Sequence, residues 1–170
     1  MTFDPLAALR VFTQHGVKFV VIGGYAAGVL GAPVMTLDLD ICYERTTQNM
    51  QHLAAALSQL NAVLRVAGVD EDLPFLLDAR TLAAGDSFTF TTRVGDLDVL
   101  GTPSGTAGFR DLNAAASAYD LGEGLIVRVC SLDDLIRMKE AASRPKDEAH
   151  LHLLQSLRDE LRVQEQSGSN

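Results

Sequence analysis

The apolar positions of this chain change period several times, and each change marks an element. Leu6, Leu9, Val11 and Phe12 recur at helical spacing. Asp4 followed by Pro5 supplies a cap and a first-turn proline, and Gly16 closes the helix. Residues 17–22, VKFVVI, are almost continuously apolar, as in a strand covered on both faces. Gly23-Gly24 predicts a turn, and residues 25–30 a short helix of small residues that stops at Gly31-Ala32-Pro33. TLDLDICY, 36–43, alternates with period two, and 47–60 returns to the helical period. Residues 61–85 are less regular: Asp70 to Asp72, Pro74 and Gly85 point to loops around a short helix. SFTFTT at 87–92 alternates again, and 94–100 predicts the next strand. A Gly/Ser/Pro-rich loop at 101–108 leads to a helix at 109–117, a strand at 125–130 and a helix opened by Ser131. There the serine caps and Asp134, three residues on, answers it. A final helix follows Pro145.

The alternating strands carry the candidate chemistry. Residues two apart on a strand share a face, so Asp38 and Asp40 lie together while Leu37, Leu39 and Ile41 take the other side. Asp96 and Asp98 repeat this design, with Leu97 and Val99 opposite. If the two strands are neighbours, three or four carboxylates converge. Such a cluster is costly unless a cation sits in it. A hard divalent ion with oxygen ligands, Mg²⁺ or Mn²⁺, suits it best. Gly23-Gly24 adds a complementary part: a strand that opens into a helix through glycines exposes backbone N–H groups, and the missing side chains let a phosphate come close. Taken singly, each piece has a plainer reading. A glycine pair is usually a turn, and Asp-x-Asp is often a solvated strand face or the metal site of a glycosyltransferase.

Lys139 interrupts an apolar stripe. On the helix after Ser131, Leu132, Leu135 and Ile136 define the buried side, and Lys139 continues it. It either snorkels at a helix end or meets an anion in a cleft. Arg137, Lys139, Arg144 and Lys146 together suggest a local basic patch, and Asp147 reads as a cap for the last helix. His150 and His152 are two apart on a helix, which disfavours a shared metal.

Composition narrows the classes. With 170 residues the chain reads as one domain over 1–162 and a flexible tail over 163–170. A net charge of -8 argues against a protein that coats nucleic acid through a broad basic face. Cys42 and Cys130 lack metal-site spacing and read as reduced core thiols. No membrane span and no leader is expected, which implies a cytoplasmic protein.

In combination, "GGYAAGVLGAP", "TLDLDI", "GDLDVLG" and "SLDDLIRMKEAASRPKD" resemble the nucleotidyltransferases of the polymerase-beta superfamily. Within it they are similar to the minimal bacterial AbiEii/MenT-type toxins. The likeness runs from about residue 17 to 150. It implies an α+β (α/β) nucleotidyltransferase fold with a mixed central β-sheet flanked by helices. It implies a metal-dependent enzyme that moves a nucleoside monophosphate from an NTP to an acceptor hydroxyl and releases pyrophosphate. By the resemblance, Asp38, Asp40 and Asp98 are the catalytic metal ligands, with Asp96 as the fallback third acid. Gly23, Gly24, Tyr25, Lys139 and Arg144 hold the nucleotide, with Lys139 also catalytic and Asp147 as its downstream acid. The implied partners are an NTP, an RNA acceptor such as a tRNA 3′ end, and an antitoxin protein. One position departs from the pattern: Val34 stands where many relatives carry an arginine. That departure motivates the alternative of a catalytically degenerate fold that binds a nucleotide or a protein.

Overall fold

The strand order brings the two aspartate-bearing strands side by side. A computed structural model describes residues 2–66, 68 and 77–169. In chain order these form α1 (Pro5–Gln14), β1 (Phe19–Ile22), α2 (Gly23–Val29), β2 (Asp38–Tyr43), α3 (Thr47–Gln59), β3 (Val63–Leu64) and α4 (Ala79–Ala84). They continue with β4 (Ser87–Thr92), β5 (Gly95–Leu100), α5 (Phe109–Ala115), β6 (Ser117–Asp120), β7 (Ile126–Val129), α6 (Leu132–Ala142) and α7 (Glu148–Ser167). A 3-10 turn, Pro145–Asp147, precedes α7.

The described strands make one 7-stranded sheet of order β3-β4-β5-β2-β1-β7-β6. β2 runs parallel to β5 and β1 parallel to β7, while the remaining neighbours are antiparallel. The result is a mixed α+β architecture. β1 sits inside the sheet and every residue in it is buried, which explains its unbroken apolar run. α1 starts as its sequence dictates, with the Asp4 carboxylate accepting the Ala7 N–H at 3.0 Å. It buries Ala8, Leu9, Val11 and Phe12, and Phe12 meets Phe19 with ring centroids 5.7 Å apart. Burial of a side chain such as Phe12 favours folding by about 2–3 kcal/mol before entropy is counted.

Asn49 is a buried polar exception, and it is fully employed. Its side chain accepts the Lys18 N–H and donates to the carbonyls of Lys18 and Glu44. It thereby ties the start of β1 to the end of β2, two strands that must keep register for the site to form.

Several elements differ from the sequence reading. α2 begins at Gly23, so the glycine pair is its first turn rather than a loop before it. β3 and β6 have no period-two signature: β3 has two residues, and β6 is a largely exposed strand at the sheet edge. The expected helix at 109–117 therefore stops at Ala115. α7 is helical to Ser167, through much of the stretch expected as a tail, because VQEQ contains good helix formers and α7 has no glycine before its cap at Gly168. Of the loop signals between 61 and 85, Asp70 to Asp72 and Pro74 lie outside the described residues. Among the described residues, no helix is long and apolar enough to cross a membrane.

Candidate active site

Register, more than sequence, assembles the acidic cluster. In the parallel β2–β5 pair Asp40 lies opposite Asp98, and Asp38 opposite Asp96. On the other side of β2, Asp40 is the partner of Ile22, the last residue before Gly23. Period two puts the acids on one face while Leu39, Ile41, Leu97 and Val99 enter the core. Asp38, Asp40 and Asp98 each bring a carboxylate oxygen within 4.8 Å of the others. Asp96 does not join them. Arg65, just past β3, holds it at 2.8 Å, and the Thr91 hydroxyl donates to it at 3.3 Å. The third carboxylate of the cluster is thus Asp98, while Asp96 is paired with Arg65.

The cluster has the electrostatics of a cation site. Burial pushes the Asp40 carboxyl up to about 8; a hydrogen bond with Asp98 and the charges of Asp38 and Asp98 add to the effect. Oδ1 of Asp98 is buried with no hydrogen-bond partner among the described residues. Such an orphaned oxygen costs free energy unless something supplies a positive charge. Asp38 is held in place by Thr36, whose hydroxyl donates to Asp38 Oδ1 at 2.7 Å. An oxygen-only donor set of this kind fits Mg²⁺ or Mn²⁺.

The glycine corner packs directly on the acids. Gly23 has φ of +71°, and a Cβ there would run into the Asp40 carboxylate. A Cβ on Gly24 would lie 3.0 Å from Cβ of Thr36. The pair is thus required by the approach of β2 as well as by any ligand. Both glycines border a cleft of about 760 Å³ that also takes in Asp38, Asp40, Asp98 and Lys139.

Lys139 reaches this cleft from α6. Its Nζ donates to Asp147 Oδ1 at 2.9 Å, both side chains being largely buried. Asp147 occupies the N-cap position of α7 but makes no side-chain cap bond; the lysine takes its carboxylate instead. That bond, with the charge of Lys139 and of Arg144, holds the Asp147 carboxyl below the usual range. Arg144 and Lys146 also border the cleft. Arg137 does not belong to this patch: it pairs with Asp111 and Asp134, each at 3.1 Å, and anchors α6 to α5. Tyr25 lies outside the cleft lining and packs half-buried on the core, because the helix starts at Gly23 and turns that side chain inward.

Two contributors were not identified from the sequence. Thr36 orients Asp38, and its signal was a hydroxyl two residues before the acid. His150, set aside as a shared metal ligand with His152, borders the cleft. It sits three residues after Asp147 on the same helical face.

The glycine corner, the acid-bearing parallel strands and the sheet around them define a nucleotidyltransferase fold. No family model and no curated protein sequence matches the chain. Solved structures do match, and over nearly the whole length. Lincosamide antibiotic adenylyltransferase LnuA, with lincomycin bound, aligns with a TM-score of 0.61 at 15% identity, covering 92% of this chain and 99% of that one. ANT(2'')-Ia in complex with adenylyl-2''-tobramycin aligns with a TM-score of 0.54 at 14% identity, covering 93% and 87%. The solution structure of the antibiotic-resistance factor ANT(2'')-Ia gives 0.53 at 15% identity, covering 95% and 91%. These likenesses establish the fold.

Proposed function

We propose that the protein is a divalent-metal-dependent nucleotidyltransferase, which moves a nucleoside monophosphate from an NTP to an acceptor hydroxyl. The observation that carries this reading is the convergence of Asp38, Asp40 and Asp98 beside the Gly23-Gly24 corner, within a nucleotidyltransferase fold. Asp38, Asp40 and Asp98 would hold the metal, which supplies charge neutralisation for the triphosphate and acidifies the acceptor hydroxyl.

The chain's own groups do the rest. Gly23 and Gly24 let the β- and γ-phosphates approach the backbone. Lys139 exchanges Asp147 for a phosphate oxygen, and Arg144 adds positive charge at the mouth of the cleft. The acceptor oxygen forms a bond to the α-phosphorus, the α–β bridging P–O bond breaks, and pyrophosphate departs. Asp98 orients the acceptor hydroxyl and draws off its proton. Positioning and electrostatics account for the rate enhancement, since no side chain becomes covalently attached.

For the acceptor, the matched structures involve lincomycin and tobramycin, both small molecules, whereas the AbiEii/MenT-type resemblance favours an RNA 3′ end with an antitoxin as partner. The assay is incubation with each α-labelled NTP, Mg²⁺ or Mn²⁺, small hydroxyl compounds and an RNA pool. Label transfer with pyrophosphate release is expected. Nucleotide binding without transfer under any metal or acceptor would leave the degenerate binding module, the reading that Val34 favours.

The proton on Asp40 makes a second expectation. Its folded-state pKa lies above the unfolded value of 3.8, at about 8, so the folded chain holds a proton that the unfolded chain releases. The metal-free protein therefore loses this contribution to stability as pH rises from about 4 through about 8. Metal must displace that proton, so metal affinity rises with pH over the same window. Mn²⁺ at a fixed concentration should raise the melting temperature more at pH 8.5 than at pH 6. Equal shifts at both pH values would mean the ion binds elsewhere.

A further inference from the structure

In an in-line displacement the acceptor must arrive opposite the departing pyrophosphate. The sheet order turns that requirement into an address. The triad lies on β2 and β5. To one side come β1, which leads into Gly23-Gly24, and β7, which leads into α6 and Lys139. To the other side comes β4. If pyrophosphate leaves toward the glycine corner and Lys139, the acceptor enters over β4.

The residues there are specific. In the β4–β5 register Thr89 lies opposite Asp98, Thr91 opposite Asp96, and Ser87 opposite Leu100. Alternation puts Ser87, Thr89 and Thr91 on the same face as the acids, while Phe90 is buried on the other. Thr91 donates to Asp96 at 3.3 Å and Ser87 to its neighbour Asp86 at 3.4 Å; Ser87 and Thr89 are exposed, and both border the cleft. The Thr89 hydroxyl makes no hydrogen bond among the described residues. Charge is divided just as sharply. Lys139, Arg144 and Lys146 all lie on or after α6. The cations beside β4 are paired: Arg65 with Asp96 at 2.8 Å, and Arg45, at the Ser87 end, with Asp86 at 3.3 Å.

We infer that Ser87 and Thr89 on β4 form the acceptor subsite, and that it takes a compact, hydroxyl-rich, uncharged or cationic molecule rather than a nucleic acid. The inference rests on the nucleotidyl-transfer reading. The Thr89 hydroxyl opposite Asp98, with that of Ser87 two residues along the same face, can hold a polyol by hydrogen bonds, with one acceptor hydroxyl directed at the reacting phosphorus. An RNA end would bring phosphates onto a wall whose nearby cations, Arg65 and Arg45, are already paired with Asp96 and Asp86.

The test uses the full chain with Mg²⁺ and an α-labelled NTP. Acceptors are methyl α-D-glucoside, methyl α-D-glucosaminide and myo-inositol, set against bulk tRNA. Transfer to the small compounds is expected to exceed transfer to tRNA. Thr89→Val, which keeps the shape and removes the hydroxyl, should raise the acceptor KM about tenfold with the NTP KM unchanged. Preference for tRNA, an unchanged acceptor KM, or a change in the NTP KM instead would each overturn the subsite. A second measurement separates this inference from the reaction itself. With Mg²⁺ and a non-hydrolysable ATP analogue bound, the same compounds are titrated and backbone amide NMR shifts are followed. Shifts at Ser87 and Thr89 without turnover support the subsite and count against the reaction. Turnover with no shift on β4 sustains the reaction and removes the subsite.

Discussion

Replacing Asp98 with asparagine abolishes nucleotidyl transfer yet leaves the metal-free protein no less stable. The two halves of this expectation have the same origin. Asp98 keeps one carboxylate oxygen buried without a partner among the described residues, directly opposite an Asp40 that burial and its neighbours already keep protonated. In the absence of a cation the carboxylate is a cost, and an amide of equal size removes it while donating a hydrogen bond to Asp40. In the presence of substrate the same charge is what the reaction needs. Loss of preorganised electrostatic stabilisation of this kind costs about a hundred- to a thousandfold in rate, and loss of a metal ligand adds to that. The variant's melting temperature should match or exceed that of the wild type, and Mn²⁺ should no longer raise it. Asp96→Asn is the control: Asp96 is paired with Arg65 on an exposed surface, so transfer should fall less than tenfold. Activity of Asp98→Asn within tenfold of wild type would remove Asp98 from the reaction. A large fall in its melting temperature would make Asp98 a structural residue instead.

The acids were legible because they break the apolar alternation of two strands whose other residues are plainly destined for the core. Their convergence was not, since strand adjacency is non-local. Only the pairing of β2 with β5 puts Asp40 opposite Asp98. The resemblance preferred Asp98 to Asp96, but what sets Asp96 aside was hidden: Arg65, placed by a two-residue strand with no detectable period, pairs with it. Lys139 announced itself by occupying an apolar stripe, yet its partner Asp147 read as a cap, because the capping position and the ion pair fall on the same residue. The basic patch read from 137 to 146 was partly an artefact of adjacency. On a helix Arg137 and Lys139 face different ways, and Arg137 is taken by Asp111 and Asp134. The displacement of Tyr25 came from a helix that starts two residues earlier than glycine propensity suggests. Tertiary contact with β2 explains that shift.

Gly23→Ala should be the most damaging alanine substitution in α2, and comparison within this one helix shows why. Gly23 combines two demands: a φ of +71°, which an L side chain adopts at a cost of about 1–2 kcal/mol, and contact with the Asp40 carboxylate where the new methyl group would go. Displacing Asp40 from its packed position adds about 1–3 kcal/mol, for a total of roughly 2–5 kcal/mol. In a chain of this length that lowers the melting temperature by about 4–20 °C. Because Asp40 must move, transfer and Mn²⁺ binding should fail along with stability. Gly24→Ala meets only the side chain of Thr36, at 3.0 Å, with no unusual backbone angle. Its effect should fall on Asp38, which Thr36 orients, and so on activity more than on stability. Gly28, exposed later in the helix with open space around its Cβ position, should gain about 0.5–1 kcal/mol on replacement by alanine. Thermal denaturation of the three variants, each with and without Mn²⁺, distinguishes a corner shaped around the acids from a chain that merely turns there. If Gly23→Ala proved as mild as Gly28→Ala, the close packing of glycine on Asp40 would play no part in holding the site.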